Sequence, residues 1–277
     1  MQKNANIFIF IFYSKKFGYF RKFLYLCTRV RQMDRKKRNT VNVMKQQTTI
    51  GGRECLLYTD GQPQVLLIQT LGGHEHNSID TEVELIRKAV PMPFVMAAFA
   101  IRDWEAELTP WHDPEVSKRT IVGELAGETL LYLTDELIPY LRKQYGTLPI
   151  VLGGYSLGGL FSLWAASQTD VLTAVAAMSP SLWIANWAEY STAHPVRTQY
   201  VYLSLGDREE FTRNRAVAQV GNNVRAEYAH LAEQLGTGRC TLEWNPGNHF
   251  ANGPIRTAKG FAWCLSKLKN NPVSNEI

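Results

Sequence analysis

Gly154-Tyr155-Ser156-Leu157-Gly158 stands between an apolar run, Ile150-Val151-Leu152-Gly153, and a stretch of helical spacing, Leu160-Phe161-Ser162-Leu163-Trp164-Ala165-Ala166. A buried strand that turns abruptly into a helix through G-x-S-x-G is the setting of a nucleophile elbow. The turn crowds the backbone around its serine, and glycines two residues to either side remove the side chains that would collide there. The hydroxyl is lifted above the sheet edge, with a helix N-terminus beneath it. Ser156 is therefore the candidate nucleophile. The bland alternative is a glycine-rich turn that holds an inert serine.

Outward from the elbow, residues 53–58 read as an edge strand closed by a turn at Asp60-Gly61, and 65–69 as a fully buried strand. Residues 79–90 have helical spacing, ended by Pro91 and Pro93, and 94–101 form a second buried strand. A polar, aromatic loop follows over 102–111, then a long amphipathic helix over 122–145 that Pro139 should kink near its end. After the elbow strand (149–153) and its helix (157–168), strands at 172–178, 199–205 and 240–244 are interleaved with helices at 213–235 and 254–269. This alternation predicts an α/β fold: a mostly parallel central sheet with helices on both faces, in one domain spanning residues 44–277.

The chain has 277 residues and a formal charge of +5, but that charge is unevenly placed. Residues 1–43 carry eleven Lys and Arg against one acid, Asp34, whereas the remaining 234 residues carry 19 basic and 24 acidic side chains. The body is mildly acidic and gives no nucleic-acid signal. The first 43 residues combine a short apolar run, Ile7 to Tyr13, with Lys- and Arg-rich sequence. Only Lys3 precedes the run and no small-residue cleavage site follows, so the segment does not read as a secretory signal. It is taken as a basic extension outside the fold, with Met44 as an alternative start and a basic amphipathic membrane anchor as the competing reading. No stretch reaches the length of a spanning helix, so no stable membrane insertion is expected. Cys27, Cys55, Cys240 and Cys264 are far apart and form no CxxC. They read as reduced thiols, mostly buried, and favour a cytoplasmic location.

A serine hydroxyl needs a base to take its proton and donors to hold the developing oxyanion. Three histidines follow Ser156: His194 in a loop beside Pro195, His230 inside a helix, and His249 in Pro246-Gly247-Asn248-His249-Phe250. His249 lies after the last strand and before the last helix, where the base belongs when the chain order is serine, acid, histidine. The acid should follow the strand that ends in Gly206-Asp207-Arg208-Glu209-Glu210. Glu209 is favoured, since it lies three residues past the glycine; Asp207 is the alternative and Glu210 the third choice. One oxyanion donor should be the backbone N–H of Leu157. The second should come from the loop near Thr70–Gly72, with Leu71 chosen. His74 and His76 form an H-x-H, but with no third ligand in sight pocket lining or a loop hydrogen bond is preferred to metal binding.

Taken together, Gly154–Gly159, Ser179-Pro180-Ser181-Leu182-Trp183, Leu205-Gly206-Asp207-Arg208-Glu209-Glu210, Gly247-Asn248-His249-Phe250 and the stretch from Arg102 to Leu108-Thr109-Pro110 resemble one branch of the α/β-hydrolase superfamily. This branch includes esterase D and the enterochelin-type siderophore esterases. The resemblance spans roughly residues 50–270. It implies Ser156 as nucleophile, His249 as base and an acid within 206–210; some siderophore esterases of the branch work as Ser–His dyads. Relatives usually carry an Asp-Gly pair where this chain has Gln69-Thr70-Leu71-Gly72, and that departure bears on the second oxyanion donor.

The expected function is a serine hydrolase that cleaves a carboxylic ester or thioester through an acyl-enzyme. An acyltransferase, or a non-catalytic binding protein on the same fold, are the alternatives. No cofactor and no metal are expected, the partner is a small-molecule substrate, and a homo-oligomer is left open. Trp104, Trp111, Trp183 and Trp187 lie in loops that could border the pocket, each with ordinary packing as its alternative.

Overall fold

The computed structural model describes residues 44–73, 78–113 and 124–270. The N-terminal extension and the His74/His76 pair lie outside the described residues.

The described chain forms an eight-stranded sheet in the order β1-β2-β4-β3-β5-β6-β7-β8. The strands are β1 (Met44–Ile50), β2 (Arg53–Thr59), β3 (Leu66–Leu71), β4 (Val95–Ala100), β5 (Ile150–Tyr155), β6 (Ala174–Met178), β7 (Tyr200–Gly206) and β8 (Cys240–Asn245). From β4 to β8 all neighbours are parallel, whereas β1 and β2 join antiparallel at one end. The helices are α1 (Ile79–Ala89), α2 (Trp104–Leu108), α3 (Ala126–Leu131), α4 (Ile138–Tyr145), α5 (Leu157–Gln168), α6 (Trp187–Ala193), α7 (Val220–Leu235) and α8 (Gly253–Asn270).

Alternation along each buried strand feeds two separate cores. In β3, Leu66 and Ile68 join the cluster under α3, α4, α5 and α7, while Leu67 and Leu71 join the cluster under α1 and α8. Strands buried on both faces explain the nearly unbroken apolar runs of β3 to β7. The chain passes from β3 through α1 to β4 in one direction and from β5 to β8 in the other. The order therefore reverses between β3 and β5, and the crevice beyond their carboxyl ends is where such sheets bind ligands.

Two local expectations are corrected and the setting of Pro139 is refined. Residues 53–58 are not at the edge: β1 lies outside β2, closed by a Gly51-Gly52 turn with both glycines at positive φ (53° and 77°), the geometry of a two-residue hairpin. β1 carries polar, exposed side chains up to Ile50, so it left no hydrophobic signature. The 102–111 loop contains α2, capped by the Asp103 carboxylate accepting from Ala106 N at 3.1 Å. Within the helical run that ends at Tyr145, a π-helical turn over Tyr132–Leu137 lies just ahead of Pro139. The proline has no N–H to give and its ring would crowd the carbonyl four residues back, so the wider register relieves the clash.

Candidate active site

The elbow explains its own glycines. Ser156 sits between β5 and α5 with φ 58° and ψ −119°, a conformation L-residues rarely hold. It is pinned there by its N–H donating to Met178 O (3.0 Å) and its carbonyl accepting from Ser181 N (3.2 Å) and Leu160 N (3.1 Å). A Cβ on Gly154 would lie 2.5 Å from the backbone of Gly158, and one on Gly158 would collide with Thr70 Oγ1. Gly154→Ala should therefore displace the turn itself. We expect at least a tenfold loss of esterase activity with about 2 kcal/mol of destabilisation, read by kinetics and melting; a variant matching the parent in both would contradict the close packing.

The loops after β7 and β8 bring two more residues to the serine. His249 Nε2 is 3.0 Å from Ser156 Oγ, and His249 Nδ1 is 2.7 Å from Glu209 Oε2. Glu209, 6% exposed, uses its other oxygen to accept from Ser179 Oγ (2.8 Å), Gly206 N (2.6 Å) and Arg256 Nη2 (2.5 Å). Burial by itself would raise the Glu209 carboxyl, but the hydrogen bonds and charges of His249 and Arg256 outweigh it and hold the group at about 2. Glu209 is thus an ionised acceptor facing the imidazole Nδ1–H. Tyr155 stacks edge-on to His249 and donates to its carbonyl at 2.8 Å. Burial pushes its phenol up to about 12, so it stays a donor.

Of the other carboxylates in the run, Asp207 accepts from Gly247 N at 2.8 Å, tying the two loops together, and Glu210 pairs with Arg225. Neither takes part in the Ser156–His249–Glu209 line. His194 is held by Tyr190 O and stacks on the Tyr190 ring, and His230 lines a small separate cavity beside Glu227. Leu157 opens α5 directly after the serine. Leu71 ends β3; its carbonyl accepts from Ile101 N on the β4 side. Among the tryptophans, Trp183 lines the cavity at Ser156, and Trp104 lies against the elbow at Gly158. Trp111 and Trp187 are packing residues instead: they stack on each other and on Tyr190, and Trp187 Nε1 donates to the buried Glu227.

Sequence reasoning missed Arg256, Ser179 and Ser181. Arg256 is 1% exposed on the first turn of α8. It bonds Glu209, Ser179 and Asn248 O, and lies over the Tyr155 ring at 5.2 Å. Its signal was there: it shares the α8 face of Gly260 and Cys264 that points to the core. Ser181 Oγ is 3.3 Å from Ser156 Oγ. Cys55, Cys240 and Cys264 are buried free thiols. Among the described residues no helix is long and apolar enough to cross a membrane, and no group of three His, Cys, Asp or Glu converges.

Esterases and hydrolases are among the solved structures that share this fold. A siderophore hydrolase, EstA, from Aspergillus nidulans aligns with TM-score 0.63 and 18% identity over 82% of this chain and 95% of its own. An IroE-like serine hydrolase from Shewanella oneidensis aligns with TM-score 0.66 and 15% identity over 81% of each chain. The enterobactin esterase FES from Shigella flexneri aligns with TM-score 0.61 and 18% identity over 83% of this chain and 61% of its own. No curated protein matches the sequence. Residues 41–242 match the family described as "Putative esterase", a match that stops short of His249 and Arg256. On that match and this sheet, the chain belongs to the Putative esterase family and is an ester-hydrolysing enzyme of α/β-hydrolase fold.

Proposed function

We propose that the protein hydrolyses carboxylic esters and thioesters of small molecules through an acyl-enzyme on Ser156. The observation that carries this reading is the hydrogen-bonded line from Ser156 Oγ through His249 to Glu209, at 3.0 and 2.7 Å. His249 Nε2 takes the hydroxyl proton as Oγ attacks the acyl carbon, then gives it to the departing alcohol or thiol. Glu209 holds the imidazole with Nδ1 protonated and stabilises the imidazolium without taking its proton. Water, activated by the same histidine, releases the acid.

The oxyanion would be met by the Leu157 N–H at the start of α5. For the second donor, the hydrogen bonds of β3 turn Leu71 away from β5. Leu66 N donates to Pro149 O beside β5, whereas Leu71 O accepts from the β4 side. A strand residue's N–H and C=O point the same way and alternate along the chain, so the Leu71 N–H shares the β4 side with its carbonyl. Buried free thiols suit a reducing, cytoplasmic setting.

A partition experiment tests the acyl-enzyme. A phenyl ester and a phenyl thioester sharing one acyl group are each hydrolysed in the presence of methanol. A common intermediate predicts the same ratio of methyl ester to free acid from both. Ratios that depend on the leaving group would contradict it.

A further inference from the structure

The cavity at Ser156 and His249, about 580 Å³, has an unusual wall: Arg208 and Arg213 beside Trp183, Phe211 and Phe250. Phe211 and Phe250 are 78% and 90% exposed, more than large aromatic side chains in a folded domain normally are. The charge on this wall runs against that of residues 44–277, in which acids outnumber bases 24 to 19. Every carboxylate nearby is committed elsewhere. Glu209 is matched by the buried Arg256, Asp207 takes the Gly247 N–H, and Glu210 holds Arg225 through two 3.0 Å bonds. Arg225 is also fixed over the Trp244 ring at 4.6 Å. Among the described residues, the Arg208 and Arg213 guanidinium groups are left with no hydrogen-bond or ion-pair partner. Arg208 is presented on a held loop: its N–H donates to Gly247 O (3.1 Å) and its carbonyl accepts from Phe211 N (3.3 Å).

We propose that the site selects esters that carry an anionic group next to an aromatic or apolar portion, with Arg208 and Arg213 reading the charge and Trp183, Phe211 and Phe250 covering the apolar part. The proposal rests on Ser156 being the nucleophile and names the substrate class it meets. Two unpaired cations in a concave wall raise the local concentration of anions. The planar guanidinium fork suits a carboxylate or phosphate better than a lysine would.

The test compares 4-acetoxybenzoate with its neutral analogue 4-acetoxybenzamide. For the full chain, the ratio of kcat/KM, anionic over neutral, should fall about tenfold in R208A/R213A, mostly through KM, since two exposed pairs are each worth several-fold. R208K/R213K should recover part of the preference. Raising salt from about 0.02 to about 0.5 M should erode it in the parent, as the screening length shortens from roughly 20 Å to a few ångströms. Arg215→Ala, exposed and outside the cavity wall, should leave the ratio unchanged. An equal ratio in the parent and R208A/R213A would overturn the charge selection. Hydrolysis of the neutral amide analogue, lost in Ser156→Ala, separately reports on the nucleophile. Failure to cleave either compound would bring down that reading and this one with it.

Discussion

Ser156→Ala should lower kcat/KM for any ester the protein cleaves by about 10⁴-fold or more while leaving the fold in place. The hydroxyl touches only His249 Nε2 and Ser181 Oγ, so its removal opens no cavity and orphans no buried partner. Alanine also holds the positive φ of this position no worse than serine does, and the melting temperature should stay within a few degrees of the parent's. Ser181 does not substitute, because no bond joins it to the imidazole. His249→Ala should cost a similar factor, and the double variant little more than either single one, since the two residues act as a unit. Residual activity above about a hundredth of the parent's, in Ser156→Ala free of parent enzyme, would contradict the assignment.

Arg256→Met should produce the largest stability effect. The side chain is buried with Glu209 in one ion pair at 2.5 Å, and taking away the cation leaves a buried carboxylate short of its partner. Breaking such a pair from one side costs about 3–5 kcal/mol, which for a domain of this size lowers the melting temperature by about 10 °C. Activity should fall as well, because Glu209 then orients His249 less firmly. The double variant E209Q/R256M should recover part of the lost stability, since both charges leave the interior together.

The same pair sets an acid dependence. The Glu209 carboxyl is held at about 2, below its ordinary 4.5, so between these values the unfolded chain binds the proton more readily. Its contribution to stability is complete above about pH 4.5 and is lost as pH falls through about 2. Without Arg256 the folded-state carboxyl rises toward its ordinary value, so the window over which stability is lost narrows from its acid end and less stability is lost within it. Melting curves at pH 7 and across the acid range check both points. An Arg256→Met variant as stable as the parent at pH 7 would contradict them.

Much of this architecture could be read from the chain because the buried parallel strands and the elbow have strong local signatures. Two-sided burial makes the runs of β3 to β7 apolar throughout, and steric crowding makes the glycines flanking Ser156 hard to replace. The loops placing His249 and Glu209 beside Ser156 could be located by chain order alone. What separates Glu209 from Asp207 and Glu210 is tertiary: the latter two are drawn off by Gly247 N and Arg225, partners no local pattern reveals. β1 was missed because its side chains face water, and the π turn because its cause, Pro139, lies after it. Arg256 looked like an ordinary polar residue at a helix start. Its role depends on which way the first turn of α8 faces, and on a carboxylate 47 residues earlier in the sequence.

The central claim is that residue 156 is an activated nucleophile, and intact mass after exposure to a fluorophosphonate tests it most directly. The full chain, Ser156→Ala and His249→Ala would be treated side by side, with their folding confirmed by circular dichroism. The account predicts one adduct on the parent, mapped to the Ser156 peptide, none on Ser156→Ala, and labelling slowed by orders of magnitude on His249→Ala. An unlabelled but well-folded parent, or an adduct that survives Ser156→Ala, would contradict it.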